Sequence, residues 1–185
     1  PMKTSALAII GGFSILMTIV IFKSNENGQN LTLLTSYNKT LTYFFNFDES
    51  TPTAINYHLN DSIFFSGSKS SIVATETIYS NLISFNSIAK EGTLKSIEIT
   101  GQIYTVDPPR NTGICYSLDL KSENITWEIE NYSDQIPTKT WTQFSTTFII
   151  KHKEVTEDEV LLKIFTYNNS QEFFFIDDLN IKLNF

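Results

Sequence analysis

From about residue 41 to the C-terminus, apolar residues recur at every second position in short runs broken by turn residues. A period of two is the spacing at which successive side chains leave a strand on the same face, so this pattern dictates strands and excludes long amphipathic helices. In Ile114–Leu120 the residues Ile114, Tyr116, Leu118 and Leu120 share one face, and Cys115, Ser117 and Asp119 share the other. The same alternation gives Ile97, Ile99 and Ile103, then Ile125, Trp127 and Ile129, then Phe144, Phe148 and Ile150. Val160–Tyr167 and Glu172–Phe185 are further runs, with weaker ones at Leu41–Phe47, Ile63–Phe65, Ser71–Thr75 and Asn81–Phe85. Ser66-Gly67, Glu91-Gly92, Asp107-Pro108-Pro109, Asn111-Thr112-Gly113, Ser133-Asp134 and Asn168-Asn169 separate them with turn chemistry. About ten short strands without intervening helices predict an all-β, antiparallel β-sandwich or jelly roll and exclude a parallel βαβ sheet.

The N-terminal segment obeys a different rule. Residues 4–22 carry no charge, and a helix of that length would span roughly 28 Å, about the hydrocarbon thickness of a bilayer. A transmembrane α-helix over 1–23, a polar linker over 24–40 and a sandwich over 41–185 is the expected order. The run ends Ile21-Phe22-Lys23-Ser24, without the small residues of a signal-peptide cleavage site. Lys3 and Lys23 flank it evenly, leaving its orientation open. Gly11-Gly12 with Ser14 and Thr18 could face a neighbouring transmembrane helix or a second copy. A pilin-like subunit, whose apolar helix precedes a β-rich head, is the structural alternative, although the early acidic residue of bacterial pilins is missing after Ser5. Pro at position 1 is expected of a processed chain or of an excerpt, such as the tail domain of a multi-span glycan-handling enzyme.

Charge and composition narrow the chemistry. With 13 Lys plus Arg against 20 Asp plus Glu the chain is at −7, and nucleic acid, which needs clustered bases, is excluded as a partner. All the acids and eleven of the bases lie beyond the apolar segment, so the head is near −9 and suited to standing off an anionic membrane surface. One cysteine forbids an internal disulfide, and two histidines leave no ligand set for structural zinc. His58 and His152 have no nearby nucleophile motif, and Cys115 has no basic neighbour to activate it, so no enzyme is expected and no catalytic residue is assigned. Six Asn-x-Ser/Thr sites, at Asn30, Asn38, Asn60, Asn124, Asn131 and Asn168, are barely more than this composition yields by chance.

Four fragments, in order, resemble the galactose-binding-like jelly rolls of carbohydrate-binding modules. These are Phe47-Asp48, the Ser-Gly-x-Lys-Ser stretch within Phe65–Ile72, Trp141–Phe148 with its Trp-x-x-x-Ser-x-x-Phe spacing, and the closing Phe173–Leu183 with an Ile-Asp-Asp-Leu core. Asp48 stands where Glu is usual, and the Trp common after that motif is absent between Thr51 and Leu59. Similar domains occur on Bacteroidota envelope proteins. The resemblance implies a membrane-anchored, extracytoplasmic, non-catalytic domain with a glycan as partner, and a structural Ca2+ held by Asp48 and Asp177. Parity with Leu179, Ile181 and Leu183 sends Asp177 towards the core edge, where a carboxylate needs a partner. Sugar recognition calls for an exposed aromatic platform with polar neighbours, and the candidates are Trp127, Tyr116, Tyr132 and Tyr104. Parity with Ile125 and Ile129 points Trp127 at the core, leaving Tyr132 as the better exposed ring.

Overall fold

The structure is a computed structural model of the chain, and it describes residues 16–17, 37–48, 54–55, 58–76, 78–86, 88–120, 123–151, 160–169 and 171–185. The chain divides into two units, Pro1–Lys39 and Thr40–Phe185. In the first, β1 (Leu16–Met17) pairs antiparallel with β2 (Tyr37–Asn38). The rest of the expected span at 4–22, most of the linker, His152 and Asn30 lie outside the described residues. Among the described residues no helix is long and apolar enough to cross a membrane.

The second unit is the expected antiparallel sandwich. Its strands are β3 (Thr40–Phe45), β4 (Ala54–Ile55), β5 (His58–Asn60), β6 (Ser70–Val73), β7 (Tyr79–Asn86), β8 (Ser96–Thr105), β9 (Thr112–Leu120), β10 (Glu123–Asn131), β11 (Thr142–Ile149), β12 (Val160–Asn168) and β13 (Phe174–Asn184). One five-stranded sheet runs β10-β9-β12-β7-β4. The other runs β11-β8-β13-β6-β5, with β3 beside the C-terminal half of β13. A single 3-10 turn at Ile88–Glu91 is the helix among the described residues.

Alternation explains both layers. On β8 every second residue is buried, Ile97, Ile99 and Ile103 among them, and on β12 the buried set is Val160, Leu162, Ile164, Thr166 and Asn168. These faces meet across the sandwich, where each buried aliphatic side chain contributes about 1.5–3 kcal/mol. Aromatic pairs bridge the sheets, Tyr116 of β9 against Phe148 of β11 at 4.9 Å and Tyr43 of β3 against Phe85 of β7 at 4.7 Å.

Three departures from the sequence reading have local causes. Ile63–Phe65, expected as a strand, is a bend, because the Asn60 side chain accepts hydrogen bonds from the Ser62 and Ile63 amides and turns the chain there. A strand the alternation did not mark, His58–Asn60, precedes it at the sheet edge. In β13 the pairing with β8 shifts between Asp177 and Asn180, with Asp178 at φ 47°. Ahead of this bulge Phe174 and Ile176 face the core, and beyond it Leu179, Ile181 and Leu183 do. Asp177 therefore shares its face with Phe175, the cross-strand neighbour of Tyr104, on the outer side of the sheet.

Gly113 of β9 sits against the β10 main chain. A Cβ there would lie 2.2 Å from the Glu130 carbonyl oxygen and 2.9 Å from Asn131 Cα, both main-chain atoms that cannot step aside. We expect Gly113→Ala to cost about 1–3 kcal/mol and to loosen β10 first. A urea midpoint and amide exchange rates along β10 that match the wild type would contradict this.

Candidate functional site

The outer face of the five-stranded sheet carries a second ordered set of side chains, built row by row from the register. Trp127, Ser117 and Lys163 are cross-strand neighbours on β10, β9 and β12. Ile129, Cys115 and Phe165 form the next row, and Asn131, Gly113, Tyr167 and Tyr79 the one after. On the opposite side of the Trp127 row lie Asn124, Asp119 and Leu161. Strand β9, between β10 and β12, thus offers Gly113, Cys115 and Ser117, all small, while its neighbours offer large rings. Small residues in the middle and aromatics on both sides make a trough, a cleft of about 520 Å3.

Its walls are aromatic. Trp127 is 52% exposed on β10, and Tyr79 is 60% exposed on β7. Tyr79 packs edge-on to Phe165 at 5.5 Å and tilted to Tyr167 at 5.6 Å, and Trp127 leans over the small β9 residues to within 6.3 Å of Tyr167. Its floor is polar. The Lys163 ammonium lies 2.5 Å from Asp119 Oδ2, and Asn124 Nδ2 donates to Asp119 Oδ1 at 2.8 Å. Ser117 completes the floor beside them. Cys115 keeps the outward parity expected of it but is fully buried beneath the neighbouring rows, and burial pushes its thiol up to about 12. No nucleophilic role suits such a thiol.

The four ring candidates separate into three places. Trp127 is in the cleft, and not in the core as its parity suggested, because the apolar face of β10 is its outward one. Tyr116 and Tyr132 are corrected in the opposite sense. Tyr116 is fully buried between the sheets, and Tyr132, 7% exposed, packs against Phe144 at 5.2 Å and Phe174 at 6.0 Å. Burial pushes the Tyr116 phenol up to about 12 and drives that of Tyr132 higher still. Neither ring is open to a sugar. Tyr104 is half-buried on the outer side of the other sheet, against Trp141 at 5.6 Å and Phe175 at 5.9 Å. The alternation missed Tyr79, Phe165, Tyr167, Asp119, Lys163 and Asn124, though the outward residues of β9 and β12 were legible as small on one strand and large on the other. Asn168, one of the glycosylation-type sites, is buried with its amide donating to the Ala74 and Glu172 carbonyls, which closes it to modification.

Asp48 and Asp177 reach one short loop from two directions. Asp48 Oδ1 accepts from the Ser68 and Lys69 amides at 2.7 and 3.0 Å and from the Ser68 hydroxyl at 3.1 Å, and these donors hold its carboxyl below the usual range. Asp177 is fully buried and accepts from the amides of Phe65 at 2.8 Å, Ser66 at 3.2 Å and Asp178 at 2.8 Å. Its burial outweighs those bonds and raises its carboxyl above the usual range. Gly67, at φ 65°, fits against Asp48, since a Cβ there would overlap the Asp48 carboxylate. Hard oxygens suit Ca2+, but two carboxylates supply at most four of the six to eight that it takes. Among the described residues no three His, Cys, Asp or Glu side chains converge on a metal position, so main-chain carbonyls would have to complete the shell.

No protein-family model and no curated protein matches the chain. Solved structures do. The CBM22-2 xylan-binding domain of Paenibacillus barcinonensis Xyn10C is similar at a TM-score of 0.50 and 10% identity, over 76% of this chain and 98% of that one. The CBM22-1 xylan-binding domain of the same protein gives 0.47 and 15%, over 76% and 92%. The C-terminal family 22 carbohydrate-binding module of Clostridium thermocellum Xyn10B gives 0.46 and 13%, over 77% and 91%. At such identities the likeness speaks for the fold alone. The shared fold is a β-sandwich.

Proposed function

We propose that residues 40–185 form a non-catalytic glycan-binding domain whose binding site is the aromatic cleft on the five-stranded sheet. One observation carries this: exposed Trp127 and Tyr79 line one cleft together with the polar side chains of Ser117, Asp119, Asn124 and Lys163. Pyranose rings present apolar C–H faces and a belt of hydroxyls, and a trough with aromatic walls and mixed donors and acceptors answers both. The shared fold with a xylan-binding domain makes xylan fragments the first probe. In calorimetry against neutral hexasaccharides from xylan, mannan and glucan, at least one should bind, and Trp127→Ala or Tyr79→Ala should weaken it about tenfold or more. Blank titrations across the panel would sink the proposal.

The apolar run at 4–22 supports a second part of the same role, a membrane anchor that holds the domain outside the cytoplasm as an accessory of an envelope protein. The chain should float with phosphatidylcholine vesicles in a density gradient, and Ile9→Lys with Val20→Lys should abolish flotation. A wild-type chain left at the bottom of the gradient removes the anchor.

For the loop at 65–69 we propose a structural Ca2+ held by Asp48 and Asp177, supported by two carboxylates meeting one short segment. When bound, the ion would neutralise a carboxylate that burial penalises. Millimolar Ca2+ should raise the melting temperature by several degrees and chelator should reverse it, an effect lost in Asp177→Asn. Identical melts in both conditions would leave the amide donors as the whole of the tie.

A further inference from the structure

The cleft floor contains one base and one acid, and they are spent on each other. Asp119 is 7% exposed, and both its oxygens are engaged, Oδ2 by the Lys163 ammonium and Oδ1 by the Asn124 amide. Lys163 stands in the row between Trp127 and the β7 strand, in the middle of the trough, where any bound chain of sugars would pass over it. An ammonium has three N–H donors, so one is directed at Asp119 and the others remain for a ligand's hydroxyl or ring oxygens. Lys163 is the one cation among the cleft-lining side chains, and without Asp119 its ammonium would be unpaired there, so a carboxylate-bearing sugar would find its counter-charge in the cleft.

The geometry points to Asp119 as a specificity-determining residue: by pinning and neutralising Lys163 it confines the cleft to neutral glycans and turns away uronic-acid polymers. The inference rests on the cleft being the glycan site. A carboxylate entering the wild-type floor meets a lysine already paired, and the adjacent Asp119 repels it. The net charge of −7 opposes polyanions in the same direction. Neutral hydroxyls keep the remaining lysine donors, Ser117 and the aromatic faces. Selectivity of this kind is achieved by an element that disfavours the wrong ligand and adds little affinity for the right one.

The test compares the full chain, held in a detergent without a sugar head group, with Asp119→Asn, Lys163→Gln and the double variant. Each is titrated with neutral hexasaccharides from xylan, mannan and glucan and with hexagalacturonate, at low and at high salt. Wild type should favour a neutral hexasaccharide over hexagalacturonate by about tenfold or more. Asp119→Asn should raise the uronate-to-neutral affinity ratio about tenfold at low salt, and the gain should vanish at high salt and in the double variant. A purely structural role for Asp119 would weaken both ligands together and leave the ratio and its salt dependence unmoved. That result, with neutral binding intact in wild type, overturns the inference alone. A wild-type protein that binds neither class overturns the glycan-site proposal and this inference with it. Asp119→Ser replaces Asp119→Asn if the latter fails to fold, as judged by its melting curve.

Discussion

Burial between the two sheets decides which face of every strand is left for anything else. Ile97, Ile99 and Ile103 on one layer and Leu118, Leu162 and Ile164 on the other are fully buried, and they close the inner faces to solvent. A strand has only two faces, so every functional group must lie on the outer face, at a strand end or in a loop. The cleft follows from this. Once Ile114, Tyr116 and Leu118 of β9 are committed inward, Gly113, Cys115, Ser117 and Asp119 are committed outward, and their small size hollows the sheet between β10 and β12.

The second constraint is the bulge in the closing strand. It lets β13 switch the parity of its core residues between Ile176 and Leu179, and it frees Asp177 to face the loop at 65–69. That loop is held at both ends by carboxylates, Asp48 at Ser68 and Lys69 and Asp177 at Phe65 and Ser66. The two acids respond oppositely to the same kind of donor. Asp48 keeps enough solvent for its hydrogen bonds to favour the charged form, whereas Asp177 is buried deeply enough that desolvation prevails. By linkage, Asp48 adds stability that is present above the unfolded carboxyl range and lost as pH falls through its lowered value. Asp177 contributes in the reverse sense, adding stability below that range and losing it as pH rises through its raised value.

Much of the sandwich was legible because its strands alternate cleanly. The runs around Ile97, Ile114, Phe144 and Val160 emerge as β8, β9, β11 and β12 with boundaries close to those of the alternation. Where alternation misled, one more fact was needed each time. Trp127 shares parity with Ile125 and Ile129, yet β10 is an edge strand whose apolar side is its outer one. Tyr132 has the opposite parity to Trp127, so the same inversion that turns Trp127 outward turns Tyr132 inward, against Phe144 and Phe174. Asp177 was sent to its partner-seeking position by a parity that the bulge interrupts, so its burial was foreseen but the burying element was not.

By itself the sequence determined the class of structure. Period-two apolar spacing with turn residues between runs leaves an antiparallel sandwich as the way to bury one face of each strand, and a single Cys leaves that core without an internal disulfide. It also marked an apolar run of bilayer length at 4–22. Only the tertiary structure decided which outward residues share a site. Trp127, Asp119, Lys163 and Tyr79 come from four strands and are separated by up to 84 positions in sequence, and register alone sets them side by side. The physical reason is that alternation is a local property of one strand, whereas a cleft depends on which strands become neighbours and at what offset.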